Sequence, residues 1–281
     1  MKLIKDILEM KEYISLQKKD GATIGLVPTM GYLHKAHRSL MEKSVEQNDF
    51  TVASIFVNPI QFGRNEDFGR YPRDIKRDTD LAGSAGVDIV FSPAADAMYP
   101  KDFATYVNIE GITELLCGRS RPGHFRGVAT VVLKLFNIVK PDKAYFGMKD
   151  AQQVAVIERM VRDLNLDTVI VRCPLIREED GLAMSSRNVY LSTDERKAAL
   201  ILSRALKSAP GLIYGGIRTS TSLRSAIAEI VESEPLANID YIEVLNAKDF
   251  SPIDALRGSV IIAMAVKFGS TRLIDNIIME V

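Results

Sequence analysis

The chain has 281 residues, 47% hydrophobic and 26% charged, with 36 basic residues against 36 acidic. That is the balance of an ordinary globular protein long enough for two domains, with no basic excess directed at nucleic acid or anionic membrane. Residues 1–6 lack the apolar core of a signal peptide, the apolar run 260–266 is far too short to span a bilayer, and Cys117 and Cys173 form no metal or redox motif, so a reducing cytoplasm is the expected home.

Residues 22–27 read as a buried strand and 37–47 as a helix. The next strand is expected at 50–57, a helix at 74–85, a short strand at 88–91 and a further strand at 104–109. Residues 127–139 are helical, because Val128, Val131, Val132, Leu135, Phe136 and Val139 recur at helical spacing. A strand at 143–146, a helix at 150–164 and a strand at 168–172 close the series. Strands alternating with helices predict an α/β domain over residues 1–175, a Rossmann-like doubly wound parallel sheet that binds ligands at the carboxyl ends of its strands. From 176 to 281 the rhythm changes. Helices at 193–208 and 219–233, separated by a loop holding Pro210-Gly211 and Gly215-Gly216, precede three strands at 239–245, 260–266 and 272–278. These predict a smaller α+β lid domain with an antiparallel sheet.

Two of the three histidines, His34 and His37, stand three apart where the first strand runs into its helix. That spacing puts both on one helix face, beside free backbone N–H groups and the positive end of the helix dipole. Such a cradle suits a polyphosphate. The blander readings are a capping or surface pair or a partial metal site; the zinc-protease spacing and its Glu are absent, and no Cys or His cluster adds ligands. Asn58 and Gln61, in a strand-end loop, can bind hydroxyls and carboxylates without net charge, although Asn58-Pro59 is equally a turn signal. Phe146-Gly147-Met148-Lys149-Asp150 offers close backbone approach at Gly147 and a point charge for phosphate at Lys149. Asp150 reads either as a helix cap or as a ribose acceptor. Met184-Ser185-Ser186-Arg187 is a donor-rich loop suited to phosphate oxygens, or a Ser-rich turn between domains.

Taken in order, these tracts, with Tyr71-Pro72-Arg73, Arg121-Pro122-Gly123-His124-Phe125 and Thr271-Arg272-Leu273-Ile274-Asp275-Asn276, closely resemble the pantoate–β-alanine ligase family over the whole chain. That family lies within the HxGH nucleotidyltransferases, which include class I aminoacyl-tRNA synthetases. The resemblance implies ATP-dependent condensation of pantoate with β-alanine through a pantoyl adenylate, releasing AMP and pyrophosphate. It implies His34, His37 and Lys149 as catalytic residues, with His37, the second motif histidine, as proton donor. ATP would be held by Met30, Gly31, Tyr32, Leu33, His34, Lys35, Ala36, His37, Gly147, Met148, Lys149, Asp150, Ile176, Met184, Ser185, Ser186 and Arg187. Gln61 and Gln153 match the pantoate-binding glutamines. The resemblance further implies Mg²⁺ accompanying ATP as substrate, with no residue assigned to the metal and its ligands left open, no tightly bound cofactor, no nucleic-acid or membrane partner, and a homodimer. Arg121 and His124 either line the site or order a loop.

One departure is visible. The third motif position, glycine in the family, is Ala36 here. An added methyl can crowd a nucleotide, but alanine is small and favours the helix that begins there, so a modest weakening of ATP binding is the most expected. The rival functions are another nucleotidyltransferase of the same fold, which would need no amine, and a silent nucleotide binder for which Ala36 marks decay.

Overall fold

The apolar runs that alternate with amphipathic stretches in the first two thirds of the chain do form strands and helices. The computed structural model describes residues 1–64 and 66–281. In chain order the elements are β1 Lys2–Ile4, α1 Ile7–Lys19, β2 Ile24–Thr29, α2 Lys35–Gln47, β3 Phe50–Ile55, α3 Ile75–Ser84, β4 Ile89–Phe91 and α4 Ala95–Met98. They continue with α5 Leu116–Ser120, α6 His124–Val139, β5 Lys143–Gly147, α7 Ala151–Asp163, β6 Val169–Cys173, α8 Thr193–Ala198, α9 Leu200–Tyr214 and α10 Ser220–Glu232. The last three are β7 Ala237–Asn246, β8 Ser259–Phe268 and β9 Thr271–Glu280. The chain divides into two compact units: Met1–Glu110, Arg121–Met148 and Val156–Pro174 in the first, Gly111–Ser120, Lys149–Ala155 and Leu175–Val281 in the second.

The first unit is a parallel sheet in the order β1-β4-β3-β2-β5-β6. Every residue of β3 is buried, the mark of a strand covered on both faces. From β2 the chain winds through β3 and β4 to one side, then returns to place β5 and β6 on the other. The reversal between β2 and β5 makes their carboxyl ends the topological switch point, where open α/β sheets bind ligands. Those ends carry His34-x-x-His37 after β2 and Gly147 at the end of β5.

The second unit contains the antiparallel sheet β7-β8-β9. Leu202, Leu206, Leu223, Ile227 and Val231 of α9 and α10 share one core with Val244, Ile262, Met264 and Val266 of its strands.

Three expectations are corrected. Residues 104–109 form no strand, because no neighbouring strand pairs with them: the Val107 amide donates instead to Thr130 Oγ1 of α6 at 3.0 Å. The expected helix over 193–208 breaks into α8 and α9 at Ala199. Pro210 and Gly211, expected in a loop, lie inside α9. Proline forfeits one helical hydrogen bond there, but burial of Ala205, Leu206 and Ala209 in the core of the unit holds the helix to Tyr214. The sequence reading also passed over β1 and α1. β1 is only three residues long and is fixed by its pairing with β4.

Candidate active site

The loop from β2 to α2 turns through two consecutive residues at positive φ, Gly31 at 85° and Tyr32 at 50°. Only glycine occupies that region without strain, and a tyrosine there costs roughly 1–2 kcal/mol. Asp78 of α3 offsets this. Its Oδ2 accepts from the Tyr32 amide and its Oδ1 from the Leu33 amide, each at 2.7 Å. Burial pushes the Asp78 carboxyl above the ordinary aspartate value, with the two amide bonds and the Arg77 charge opposing the rise. The Arg77 guanidinium also lies 4.5 Å over the Tyr32 ring.

Leu33 is buried in the core with Val27, Leu40 and Met41. His34 follows at the N-cap of α2, and His37 stands one turn on. Their ring centroids are 4.0 Å apart, and the His34 amide donates to His37 Nδ1 at 3.3 Å. The Tyr32 and Leu33 amides, just before this helix, are committed to Asp78. The donors left at the helix start are the Lys35 and Ala36 amides, which helix geometry leaves without intrahelical acceptors.

Beyond β3, Pro59–Gln61 form a 3₁₀ turn that buries Gln61. Gln61 Nε2 lies 3.1 Å from Met30 Sδ, and Oε1 accepts from Asn58 Nδ2 at 2.9 Å. Asn58 also donates to the Gly127 carbonyl at 3.1 Å and accepts from the Tyr99 hydroxyl at 2.8 Å. Burial pushes that hydroxyl's pKa well up, so it stays a donor.

Arg121 and His124 reach the same turn. His124 Nδ1 is 2.9 Å from the Gln61 carbonyl, while Arg121 Nη1 is 3.0 Å from His124 Nε2. A guanidinium only donates and a carbonyl only accepts, so these contacts put the imidazole proton on Nδ1. Glu66 in turn binds Arg121 through both carboxylate oxygens. Of the two readings left open for Arg121 and His124, the geometry supports loop ordering: they fix the backbone from which Gln61 projects.

At the end of β5, a side chain added at Gly147 would meet no atom within 4 Å. The second unit carries the remaining motif residues. Lys149 Nζ lies 3.5 Å from Asp150, and the Lys149 carbonyl accepts from Asn276 Nδ2 at 3.0 Å. The adjacent glutamines of α7 divide their work. Gln152 is buried, bonding the Ile112 and Leu115 carbonyls at 2.8 Å each and the Cys117 amide at 3.0 Å. The Gln153 side chain makes no hydrogen bond among the described residues.

Ile176 and Met184 face each other across a tight reversal at Gly181, with the Met184 amide on the Ile176 carbonyl at 3.0 Å. Arg177 braces the reversal through a two-point ion pair with the buried Asp275 at 2.7 and 2.9 Å. Ser185 caps the short turn Ser186–Tyr190, its Oγ accepting from the Arg187 amide at 3.2 Å, and Ser186 is buried.

Within the first unit, then, Met30, Gly31, His34, His37 and Gln61 gather around the carboxyl ends of β2 and β3. Tyr32 sits under Arg77, and the Lys35 side chain is exposed. Sequence reasoning missed Asp78, Glu66, Gly127, Arg177 and the roles of Asp275 and Asn276. Only the last two stood in a quoted motif, and nothing local in the sequence marks the others.

Sheet order and switch point define a class: a doubly wound α/β protein carrying a His-x-x-His pair at the carboxyl end of an inner strand. The particular family follows from comparison with known proteins. A family model described as pantoate-beta-alanine ligase matches residues 2–278, and the chain belongs to that family. The pantothenate synthetases of Acetivibrio thermocellus and Caldicellulosiruptor saccharolyticus are each 60% identical to it over 281 residues, covering 100% of both chains. The crystal structure of pantothenate synthetase from Thermus thermophilus superposes with a TM-score of 0.93 at 44% identity, covering 99% of each chain. That of pantoate-beta-alanine ligase from Francisella tularensis, complexed with beta-gamma ATP and beta-alanine, gives 0.81 at 34% identity over 99% of this chain and 97% of the other.

Proposed function

We propose that this chain condenses pantoate with β-alanine at the expense of ATP, making pantothenate. The observation that carries the reading is the end-to-end family match, joined to a structural relative that holds an ATP species and β-alanine. In the first step a pantoate carboxylate oxygen attacks the α-phosphorus and pyrophosphate leaves. In the second the β-alanine amine attacks the acyl carbon of the adenylate, AMP leaves with the bonding electron pair, and the amine gives up a proton.

The residues divide by charge. His34 and His37 are assigned to the phosphates, where paired imidazoles at a helix start stabilise charge that grows in the transition state. Lys149, Ser185, Ser186 and Arg187 are assigned to the triphosphate as cation and donors, and Gln61 and Gln153 to pantoate. The Gln61 carboxamide, held by Met30 and Asn58, presents a polar group with no charge to desolvate. Met30, Gly31, Ala36, Gly147, Met148, Asp150, Ile176 and Met184 are assigned to the nucleotide largely through backbone. Positioning and electrostatics then supply most of the rate, as phosphoryl chemistry requires.

Among the described residues no group of three or more His, Cys, Asp or Glu side chains could hold a metal ion. Mg²⁺ is proposed to arrive with ATP, held mainly by phosphate oxygens. Two buried free thiols suit a reducing cytoplasm, and no described helix is long and apolar enough to cross a membrane. A homodimer is the proposed assembly, read by light scattering at assay concentration.

The test is AMP and pantothenate formation from ATP, Mg²⁺, pantoate and β-alanine, leaving out each in turn. Product only with all four, and ATP–pyrophosphate exchange that needs pantoate but not β-alanine, is the expected result. A stable nucleotidyl product formed without amine, or ATP binding with no exchange, refutes the reading.

A further inference from the structure

Asp78 lies outside every motif, forty-odd positions from the histidines, yet its side chain is almost wholly buried against the loop that carries them. Both carboxylate oxygens are taken by amides of that loop, Tyr32 on Oδ2 and Leu33 on Oδ1, at 2.7 Å each. Two successive residues at positive φ, Gly31 and Tyr32, bring neighbouring amides to a carboxylate much as they would to any anion. Here the anion is built into the protein. It sits hard against the turn: a Cβ on residue 31 would come within 2.9 Å of Asp78 Oδ2. From Leu33 the chain passes directly to His34, whose amide binds His37 Nδ1. Fixed links therefore run from Asp78 through the Tyr32–Leu33 backbone to both imidazoles.

We infer that Asp78 is a positioning residue for the His34–His37 pair, holding the β2–α2 loop in the backbone conformation that sets the two rings side by side for phosphate. Both its oxygens being committed to the loop, it is not itself assigned to substrate. The inference rests on the assignment of these histidines to ATP.

Asp78→Asn tests it while keeping shape and volume. One amide keeps its carbonyl acceptor; the other meets an NH₂ group, donor against donor. The chain has only three histidines, so ring-nitrogen NMR has three sets of imidazole signals to follow. Those of His34 and His37 should move. That of His124, held by Arg121 and the Gln61 carbonyl, should stay. In pantoate-dependent ATP–pyrophosphate exchange, kcat should fall about 10- to 100-fold, the scale of a misplacement near 1 Å. In a His37→Ala background the same change should cost no more than about 2-fold, because its effect passes through that ring. A folded Asp78→Asn chain with His34 and His37 signals unmoved, or losses that multiply in full in the double variant, overturns the inference. Asp78→Glu covers the case in which the Asn chain does not fold. It retains two acceptors one methylene further out, and should move the same two signals in the folded protein; unmoved signals overturn the inference there too. If the wild-type chain shows no exchange at all, the proposed function fails, and the NMR still decides this point.

Discussion

Gly127→Ala should impair pantoate use without replacing any residue assigned to pantoate. Gly127 lies in the first turns of α6, where a Cβ would sit 2.5 Å from the Ile60 carbonyl oxygen, 2.6 Å from Gln61 Cα and 2.7 Å from Gln61 N. All three are backbone atoms, so no side-chain rotation relieves the contact. Ordinary separation for such atoms begins near 3.5 Å, and the turn and helix must part by about 1 Å. Overpacking of this kind costs about 1–3 kcal/mol, against a gain of at most about 1 kcal/mol from alanine's helix propensity, so the net change destabilises. The displacement falls on the turn that projects Gln61, and it also strains the Asn58 bond to the Gly127 carbonyl. A shift of that size costs about 10²-fold where a group must meet a reacting substrate. Urea unfolding and steady-state pyrophosphate exchange check both parts. The expected result is a loss of about 1–3 kcal/mol, a large fall in kcat/KM for pantoate, and a KM for ATP close to the parent's. A destabilised chain with unchanged pantoate kinetics would refute the link from this turn to pantoate.

Ala36→Gly should change kcat/KM for ATP by no more than about 3-fold, since it trades a small gain in access against weaker helix propensity; a rise of about tenfold would show that the methyl crowds the nucleotide. Arg177→Ala leaves the Asp275 carboxylate buried without its guanidinium and should cost about 3–5 kcal/mol in urea unfolding, whereas a loss below about 1 kcal/mol would mean that solvent reaches it. Glu66 supplies a pH signature. Burial works to raise its carboxyl, but the Arg121 bonds and charge and the Gly63 amide outweigh it and hold the group below the ordinary 4.5. A depressed carboxylate contributes stability that is present above its unfolded value and lost as pH falls through the folded one. The melting-temperature gap between wild type and Glu66→Gln should thus be full at neutral pH and shrink below 4.5. A gap that stays constant into acid would remove Arg121–Glu66 pairing as its source.

The elements legible in the sequence are those whose own pattern fixes them. β3 is rich in β-branched and apolar residues and is buried throughout, Thr51 and Ser54 included; α6 repeats its apolar residues at helical spacing and buries that face. Residues 104–109 hold strand-forming types such as Tyr106, Val107 and Ile109, but 104–106 are all exposed; a strand needs a partner, and that information lies elsewhere in the chain. α3 inverts the amphipathic rule. Ile75 is 42% exposed while Asp78, three residues on, is 1% exposed. Periodicity assigns such a carboxylate to the solvated face, because nothing local shows that two amides forty-odd residues upstream will claim it. Gly127 reads as one weak helix residue, and only the packed turn shows why a side chain is excluded there. The motif residues were readable because their chemistry is carried by residue type. Their geometry was not, because it is held by long-range contacts from side chain to backbone.

That division explains how alanine can stand where the family has glycine. Glycine is indispensable where φ must be positive or where a neighbour leaves no room for Cβ. In this loop both demands fall at Gly31, with φ at 85° and Asp78 and Ile55 within 3.0 Å of a notional Cβ, and the turn is completed by Tyr32. Ala36 lies in the first turn of α2, outside the residues with positive φ, and its carbonyl accepts from Ser39 Oγ at 2.8 Å. What position 36 can offer an anion is its amide, and an amide is supplied equally by glycine or alanine. With the Tyr32 and Leu33 amides spent on Asp78, that donor and the one at Lys35 are the backbone groups the proposed function leaves for phosphate at this helix start. The departure at Ala36 therefore leaves the donor set intact, and the silent-binder reading loses the one residue that suggested it.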